Sequence, residues 1–120
     1  MMSSITVYGI KQCDTVREAL RWLEGKGIAH QLHDLRVDGF DRPTLDGWLQ
    51  TTGFDSLVNR RSTTWRKLSD SEKKNTDPAH LTALLLANPT LVKRPVFVAN
   101  DEVLGVGFTA SVQADLEQLS

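Results

Sequence analysis

The stretch SITVYGIKQCDTVREALRWLEGKGIAHQLHDL, residues 4–35, decides the fold of this chain. Its first part, residues 4–9, is mostly β-branched or aromatic and ends at a glycine, which predicts a short buried strand. A helix is predicted from about Asp14 or Thr15, because apolar residues then recur on one helix face until Gly25 and Gly27 signal its end. Residues 28–35 predict a second strand. A strand, a crossover helix and a strand in this order favour two parallel strands.

The rest of the chain continues with helices and ends with two strands and a helix. Residues 36–91 have helical spacing, and Asp77, which is followed by a proline, is typical of a helix start. The segment of residues 92–120 begins with a predicted hairpin whose turn lies at Asn100 and Asp101. A final helix is predicted to follow the hairpin.

This order of elements predicts an α/β protein with a thioredoxin-like fold, in which a small mixed sheet is flanked by helices and carries an inserted helical subdomain. Residues 1–120 form a single domain in this prediction, because a chain of this length holds one core. Residues 1–35 and 92–120 are expected to form the thioredoxin-like core, and residues 36–91 the helical insertion. The final helix is predicted from about Ala110.

Composition excludes several classes of protein. The longest apolar run, LTALLLA at residues 81–87, is far shorter than the roughly 20 residues that span a membrane, so no membrane partner is expected. The N-terminus has no pattern of a secretory signal. A single cysteine cannot form a disulfide within the chain, which suits a reducing compartment. These observations predict a cytoplasmic protein.

Charge is distributed unevenly along the chain. The net charge is −1, which by itself indicates no direct nucleic-acid partner. Residues 60–94, however, hold eight basic and three acidic residues, a net charge of +5, and the remainder carries −6. The segment 60–94 therefore favours contact with an anion or an acidic partner, and the alternative is a solvated helical surface.

Cys13 is the candidate nucleophile. It lies between the first strand and the first helix, where free backbone N–H groups and the positive end of the helix dipole stabilise a thiolate. Lys11 and Arg17 would add to this effect, whereas Asp14 would oppose it if its carboxylate pointed inward. The alternative is a cysteine that packs as a small apolar residue, but its neighbours are polar. Because position 16 is valine, an oxidised Cys13 must be resolved by an external thiol such as glutathione or a thioredoxin-like protein.

The basic residues offer candidate anion-binding groups. Arg94 precedes Pro95 at the start of a predicted strand, where a cis peptide bond would suit a tight turn. The alternative is an ordinary proline at the strand start with a surface arginine. Arg61 is the better candidate of two adjacent arginines, because Arg60 is equally consistent with a solvated charge, and a guanidinium binds oxyanions through two hydrogen bonds.

No metal site is predicted. Three histidines are present, and two of them, His30 and His33, point to opposite faces of a strand because side chains alternate with a period of two. His80 lies in the helical block and is expected to be structural, like the other two.

Five stretches of the sequence together resemble the arsenate reductase (ArsC)-like family, on its Spx/YffB branch. They are VYGIKQCDTVREALRWLE at 7–24, DLRVDG at 34–39, NRRSTTWRKL at 59–68, VKRPVFV at 92–98 and LGVGF at 104–108.

The resemblance implies a thioredoxin-like fold with an inserted helical domain and a redox-active Cys13. It also implies that Arg94 and a cis Pro95 form the Arg-Pro motif of the family. Arg61 falls where this branch has an arginine, and an alternative alignment to true arsenate reductases puts Arg60 there.

Two departures from the family pattern shape the functional hypothesis. True arsenate reductases use a third arginine after the final hairpin, near which this chain has Gly107, so arsenate is a doubtful substrate. Val16 removes the Cys-x-x-Cys switch of many Spx regulators. The resulting hypothesis is a glutathione-dependent thiol oxidoreductase with Cys13 as its nucleophile, Lys11 near the thiolate, no bound cofactor and glutathione as co-substrate.

The sequence is also consistent with other partners and functions. Another external thiol, such as that of a glutaredoxin or thioredoxin, is an alternative to glutathione as the reductant. An Spx-like regulator that binds RNA polymerase is the alternative from a different class of protein. A weak arsenate reductase is the third alternative.

Overall fold

The computed structural model describes residues 4–75, 77–100 and 102–118. The strands and helices run in the order β1 (Ile5–Gly9), α1 (Asp14–Gly25), β2 (His30–Asp34), α2 (Arg42–Thr52), α3 (Phe54–Leu57), α4 (Thr63–Arg66), α5 (Asp70–Lys74), α6 (Pro78–Ala87), a 3-10 turn (Pro89–Leu91), β3 (Val96–Ala99), β4 (Glu102–Val106) and α7 (Ala110–Glu117).

These elements form two compact units. The sheet unit consists of the described residues up to Gly39 together with those from Arg94 onward, and the helical unit is Phe40–Lys93. The sheet unit is therefore built from two segments of the chain that lie on either side of the helical unit in sequence. The fold is mixed α/β, with a four-stranded sheet and flanking helices, as the order of elements predicts.

The sheet has the strand order β2-β1-β3-β4. The first two strands are parallel, which confirms the predicted crossover, and the pairing of β1 with β3 is antiparallel, with Tyr8 opposite Val96. The predicted hairpin is also present, because β3 and β4 are antiparallel and Ala99 pairs with Glu102. Asn100 has a positive φ of 54°, as a tight hairpin turn requires. Asp101, the other predicted turn residue, lies outside the described residues.

Side chains from the sheet and from two helices form the core of the sheet unit. Apolar residues alternate along β1, and they meet the buried faces of α1 and α7. The buried cluster consists of Ile5, Val7, Ala19, Leu23, Ile28, Phe97, Val112 and Leu116. Burial of this apolar surface is the main favourable contribution to the stability of the sheet unit.

Close packing on this sheet depends on two glycines. A Cβ atom on Gly9 would lie 2.6 Å from a methyl group of Val16 on α1. A Cβ atom on Gly105 would lie 2.7 Å from a methyl group of Val112 on α7. Because valine is stiff about χ1, neither methyl group can easily move aside. Each helix can therefore approach its strand only because the strand residue lacks a side chain.

The helical unit is assembled from short helices that begin at polar caps. The side chains of Asp41, Ser62, Ser69 and Asp77 each accept a hydrogen bond from a backbone N–H in the following turn. The cap at Asp77 was predicted from sequence and is confirmed. The buried apolar residues of the helical unit are Leu45, Trp48, Leu57, Val58, Leu84, Leu85, Leu91 and Val92. Within the described residues, no helix is both long enough and apolar enough to cross a membrane.

Candidate active site

Cys13 is the N-cap residue of α1, with the extended backbone angles φ −79° and ψ 125°. Its backbone N–H donates to the carbonyl oxygen of Ile10 at 2.9 Å, and its carbonyl oxygen accepts from the N–H of Arg17 at 3.1 Å. The side chain is partly exposed and makes no cap hydrogen bond to the first turn of the helix. Hydrogen bonds therefore hold the backbone of Cys13, and its thiol is accessible to a reactant.

Cys13 lies where a helix offers hydrogen-bond donors. The first N–H groups of a helix have no partner within the helix, and a side chain at the N-cap is placed to accept from them. The Cys13 side chain occupies this position, at the positive end of the α1 dipole, without accepting such a bond in this structure. The side chain of Asp14 is 93% exposed and lies 4.0 Å from the guanidinium of Arg17, so its carboxylate points toward solvent.

Asp34 accepts a hydrogen bond from the loop that carries Cys13. It is the last residue of β2 and is only 7% exposed. One carboxylate oxygen accepts from the backbone N–H of Lys11 at 2.9 Å. The other accepts from the N–H groups of Arg36 at 2.8 Å and Val37 at 3.1 Å. The loop between β1 and α1 is thus joined to the turn that follows β2.

The pKa of Asp34 reflects two opposing effects. Burial raises the pKa of this carboxyl, because water no longer solvates its charge. The three backbone N–H groups that donate to it, with a smaller contribution from the positive charge of Arg36, lower the pKa. The lowering effects prevail, so the pKa of Asp34 lies below its ordinary value.

Sequence reasoning placed Asp34 on a strand and did not identify its role. A signal was present, since an aspartate that ends a strand often accepts hydrogen bonds from the backbone two and three residues later. Nothing in the sequence indicates the third bond, from Lys11, because that contact depends on the parallel pairing of β1 with β2.

The Arg94–Pro95 segment lies at the same end of the sheet as the Cys13 loop. Tyr8 near the end of β1 pairs with Val96 at the start of β3, so the residues that follow β1 and those that precede β3 are neighbours. The Arg94–Pro95 peptide bond is cis, and Pro95 accepts a hydrogen bond from the N–H of Gly107 at 2.8 Å through its carbonyl oxygen. The sheet unit therefore brings Cys13, Lys11, Arg94 and Pro95 to one end.

The adjacent arginines belong to the helical unit. They line a cavity of about 360 Å³ together with Asp55, Val58, Asn59 and Lys93. Arg60 forms an ion pair with Asp55, at 2.5 Å, and its guanidinium lies 5.5 Å from the centre of the Trp65 ring. Arg60 is therefore already paired with a carboxylate.

Arg61 and Lys93 differ from Arg60. Both side chains are exposed, and neither makes an ion pair within the described part of the chain. Their backbones are fixed, because the N–H of Arg61 donates to the Asn59 side chain at 3.1 Å and the N–H of Lys93 donates to the carbonyl oxygen of Leu57 at 2.6 Å. The two side chains are thus the cations of this cavity that are available to an anion.

The chain was compared with known proteins. The sequence pattern of the ArsC family matches residues 8–115. The chain is 49% identical over 104 residues to an uncharacterized protein of Haemophilus influenzae, a match that covers 87% of this chain and 90% of that protein. It is 26% identical over 106 residues to the global transcriptional regulator Spx of Streptococcus mutans, covering 87% of this chain and 76% of the regulator.

Solved structures give the same result. The structure of the YffB protein superimposes with a TM-score of 0.83 at 38% identity, covering 92% of this chain and 96% of that one. The solution structure of an arsenate reductase (ArsC) related protein from Brucella melitensis gives a TM-score of 0.77 at 44% identity, with 90% and 89% covered. The resemblance predicted from the five sequence stretches is confirmed, and the chain belongs to the ArsC family.

Proposed function

We propose that the protein is a glutathione-dependent thiol oxidoreductase. Membership of the ArsC family and the similarity to an arsenate reductase related protein support a thiol-dependent reductase in general. The observation that carries the finer proposal is the position of Cys13, which is the only cysteine of the chain, lies at the N-cap of α1 and is partly exposed. A thiol in this position is a nucleophile that has no partner within its own chain.

The reaction follows from this single thiol. The Cys13 thiolate attacks the glutathione sulfur of a mixed disulfide between glutathione and a substrate thiol, and the substrate leaves as its thiolate. Cys13 is now joined to glutathione by a disulfide bond. A second glutathione thiolate attacks the glutathione sulfur of this bond, which releases oxidised glutathione and restores the Cys13 thiolate. In the net reaction, one free glutathione and the glutathione of the mixed disulfide become oxidised glutathione, and the substrate is released as a thiol, so one disulfide bond forms for the one that breaks.

Arg94 and Arg61 have separate roles in this proposal. Arg94 shares the end of the sheet with the Cys13 loop, so its guanidinium is suited to hold a carboxylate of the glutathione attached to Cys13. Arg61 and Lys93 offer a second place for an anion in the helical unit. The reaction needs a high concentration of reduced glutathione, and we propose the cytoplasm as its location.

The first test compares the wild type with Cys13→Ser. A peptide that carries one glutathionylated cysteine is mixed with reduced glutathione, and glutathione reductase converts the oxidised product at the expense of NADPH. We expect NADPH consumption with the wild type and only the background rate with Cys13→Ser, because serine has no thiolate to attack the disulfide. Intact mass measured without glutathione should show one glutathione added to the wild-type chain.

Alkylation by iodoacetamide is a control that needs no substrate. We expect the reagent to modify Cys13 in the folded protein, since the side chain is partly exposed. Full reductase activity in Cys13→Ser, or a wild type that never takes up glutathione, would contradict the proposal.

A transcriptional regulator that binds RNA polymerase is the second candidate. It is favoured by the 26% identity to the regulator Spx and by the basic segment 60–94. Retention of the protein on immobilised RNA polymerase, at a salt concentration that removes unrelated proteins of similar charge, would support this function. An oxidoreductase without a regulatory role would not be retained.

Weak arsenate reduction is the third candidate, and the backbone near the last hairpin makes it the weakest. Gly107 has a φ of +83°, where a residue with a side chain is strained. An arginine therefore cannot replace it without a change in backbone conformation. A glutaredoxin-coupled assay that gives only the background rate with arsenate would remove this candidate.

A further inference from the structure

Asp34 is the only buried charged side chain among the described residues of the sheet unit. Burial of a carboxylate costs free energy unless hydrogen bonds compensate for the lost water. Two of its three donors, Arg36 and Val37, lie in its own turn, and an exposed aspartate could serve them equally well. The bond to Lys11 is different, because it reaches the loop that precedes Cys13.

Both polar groups of the Lys11 backbone are held. The N–H donates to the Asp34 carboxylate at 2.9 Å, and the carbonyl oxygen accepts from Nε of Arg17 at 3.2 Å. Two residues later, the Cys13 N–H donates to Ile10 within the same loop. The direction in which the Cys13 side chain leaves the backbone therefore depends on this loop. The buried carboxylate of Asp34 holds the loop through the hydrogen bond from Lys11.

We propose that Asp34 is a positioning residue for the Cys13 thiol. Its carboxylate holds the Lys11 N–H, and through it the loop, so that Cys13 keeps its position at the N-cap of α1. Asp34 itself does not contact the reactants. The inference rests on the proposed function for the role of Cys13, and it names a second residue on which the reactivity of that thiol depends.

Asp34→Asn is the variant that tests this role. An amide keeps one accepting oxygen, and we expect it to face the two N–H groups of Arg36 and Val37. The amide NH2 then faces the Lys11 N–H, and two donors cannot bond to each other. The variant therefore loses the hydrogen bond to Lys11 in the loop before Cys13 and keeps the hydrogen bonds of the turn after β2.

We expect Asp34→Asn to slow the alkylation of Cys13 by iodoacetamide at pH 7 by about tenfold, as small displacements of a reacting group have effects of this size or larger. The midpoint of the alkylation rate against pH should move to higher pH. In the glutathione assay, kcat should fall while KM for glutathione stays the same, because no glutathione-binding group is changed.

Asp38→Asn is the matched control. The side chain of Asp38 accepts from the backbone N–H of Asp34 at 2.9 Å, and an amide oxygen can still accept this bond. The control therefore removes a carboxylate charge from the same turn and leaves the hydrogen bond between Asp34 and Lys11 intact. We expect its alkylation profile to match the wild type. Equal effects in the two variants would reduce Asp34 to a general stabilising role and overturn the proposal. A midpoint at lower pH in Asp34→Asn would also overturn it, because Asp34 would then act through its charge.

Alkylation needs neither glutathione nor an oxidised substrate. A wild type without reductase activity would therefore contradict the proposed function, and the positioning role of Asp34 would still be decided by the alkylation profiles. If Asp34→Asn does not fold, hydrogen exchange of the wild type gives the answer. The amide of Lys11 should exchange slowly at neutral pH, and exchange at the rate of an unstructured peptide would overturn the proposal.

Discussion

At the scale of single residues, the proposed chemistry depends on Cys13, and a hydrogen bond links Asp34 to the loop that carries it. Cys13 was predicted as the candidate nucleophile from its polar neighbours and from its place before a helix, both of which are local properties of the sequence. Asp34 was missed, because its decisive contact is with Lys11 on another segment of the chain. Local patterns can predict a candidate nucleophile, but they do not predict a residue whose hydrogen bond depends on the pairing of two strands.

The lowered pKa of Asp34 predicts how stability depends on pH. A carboxyl whose pKa is lower in the folded state than in the unfolded state stabilises the fold fully above the unfolded value, and this contribution is lost as pH falls toward the folded value. The ordinary value is 3.8, so we expect the loss at and below about pH 4. Urea unfolding between pH 3 and pH 7 should show a wild type that is more stable than Asp34→Asn at neutral pH.

The difference in the free energy of unfolding between the wild type and Asp34→Asn should become smaller as the pH approaches 3. A difference that stays constant from pH 7 to pH 3 would mean that the Asp34 carboxyl titrates alike in the folded and unfolded states.

At the scale of the elements, the sequence predicts those elements whose signals are local. The crossover α1, the cap of α6 and the hairpin of β3 and β4 were all predicted, because their signals are an apolar spacing, a capping residue and a tight turn. The close contact between β1 and α1 was not predictable, since the need for Gly9 arises only when Val16 packs against it. The short helices of the helical unit were predicted only as helical pieces around a turn.

Gly9→Ala should test this contact. The added methyl group would meet Val16, and we expect a loss of stability of about 1–3 kcal/mol from overpacking. Because Val16 lies in the first turns of α1, the helix start and Cys13 should move with it, and alkylation of Cys13 should change. The free energy of unfolding and the alkylation rate would both be measured.

Gly105→Ala is the matched control, since its methyl group would meet Val112 on α7 at nearly the same distance. We expect a similar loss of stability without a change in alkylation. An unchanged alkylation rate in both variants would mean that the packing of α1 on β1 does not set the reactivity of the thiol.

At the scale of the whole molecule, the structure shows where two cations of the basic segment 60–94 lie. The cavity of the helical unit contains two cations, Arg61 and Lys93, for which the described residues offer no ion-pair partner. The sequence could not rank Arg60 below Arg61 with certainty, because the ion pair with Asp55 forms only when α3 and the following turn are in place.

Arg61→Ala should weaken the binding of inorganic phosphate to this cavity. We expect a two- to fivefold loss of affinity, about what one exposed ion pair contributes. Phosphate-dependent changes in the midpoint of thermal unfolding would measure it. Arg66→Ala serves as the control, because Arg66 is exposed and does not line the cavity. Equal losses in both variants would indicate a diffuse charge effect instead of a defined site.

The strand order has a consequence for synthesis on the ribosome. Strand β3 lies between β1 and β4, yet it comes from the last quarter of the chain. Thr6 on β1 therefore cannot pair with Val98 on β3 until most of the chain has been synthesised. Until then the nascent chain presents one open edge of β1, and pairing across such a sequence separation is slow. The end of the sheet that carries Cys13 is consequently among the last parts of the protein to be completed, and the thiol meets the surrounding solution before its final surroundings exist.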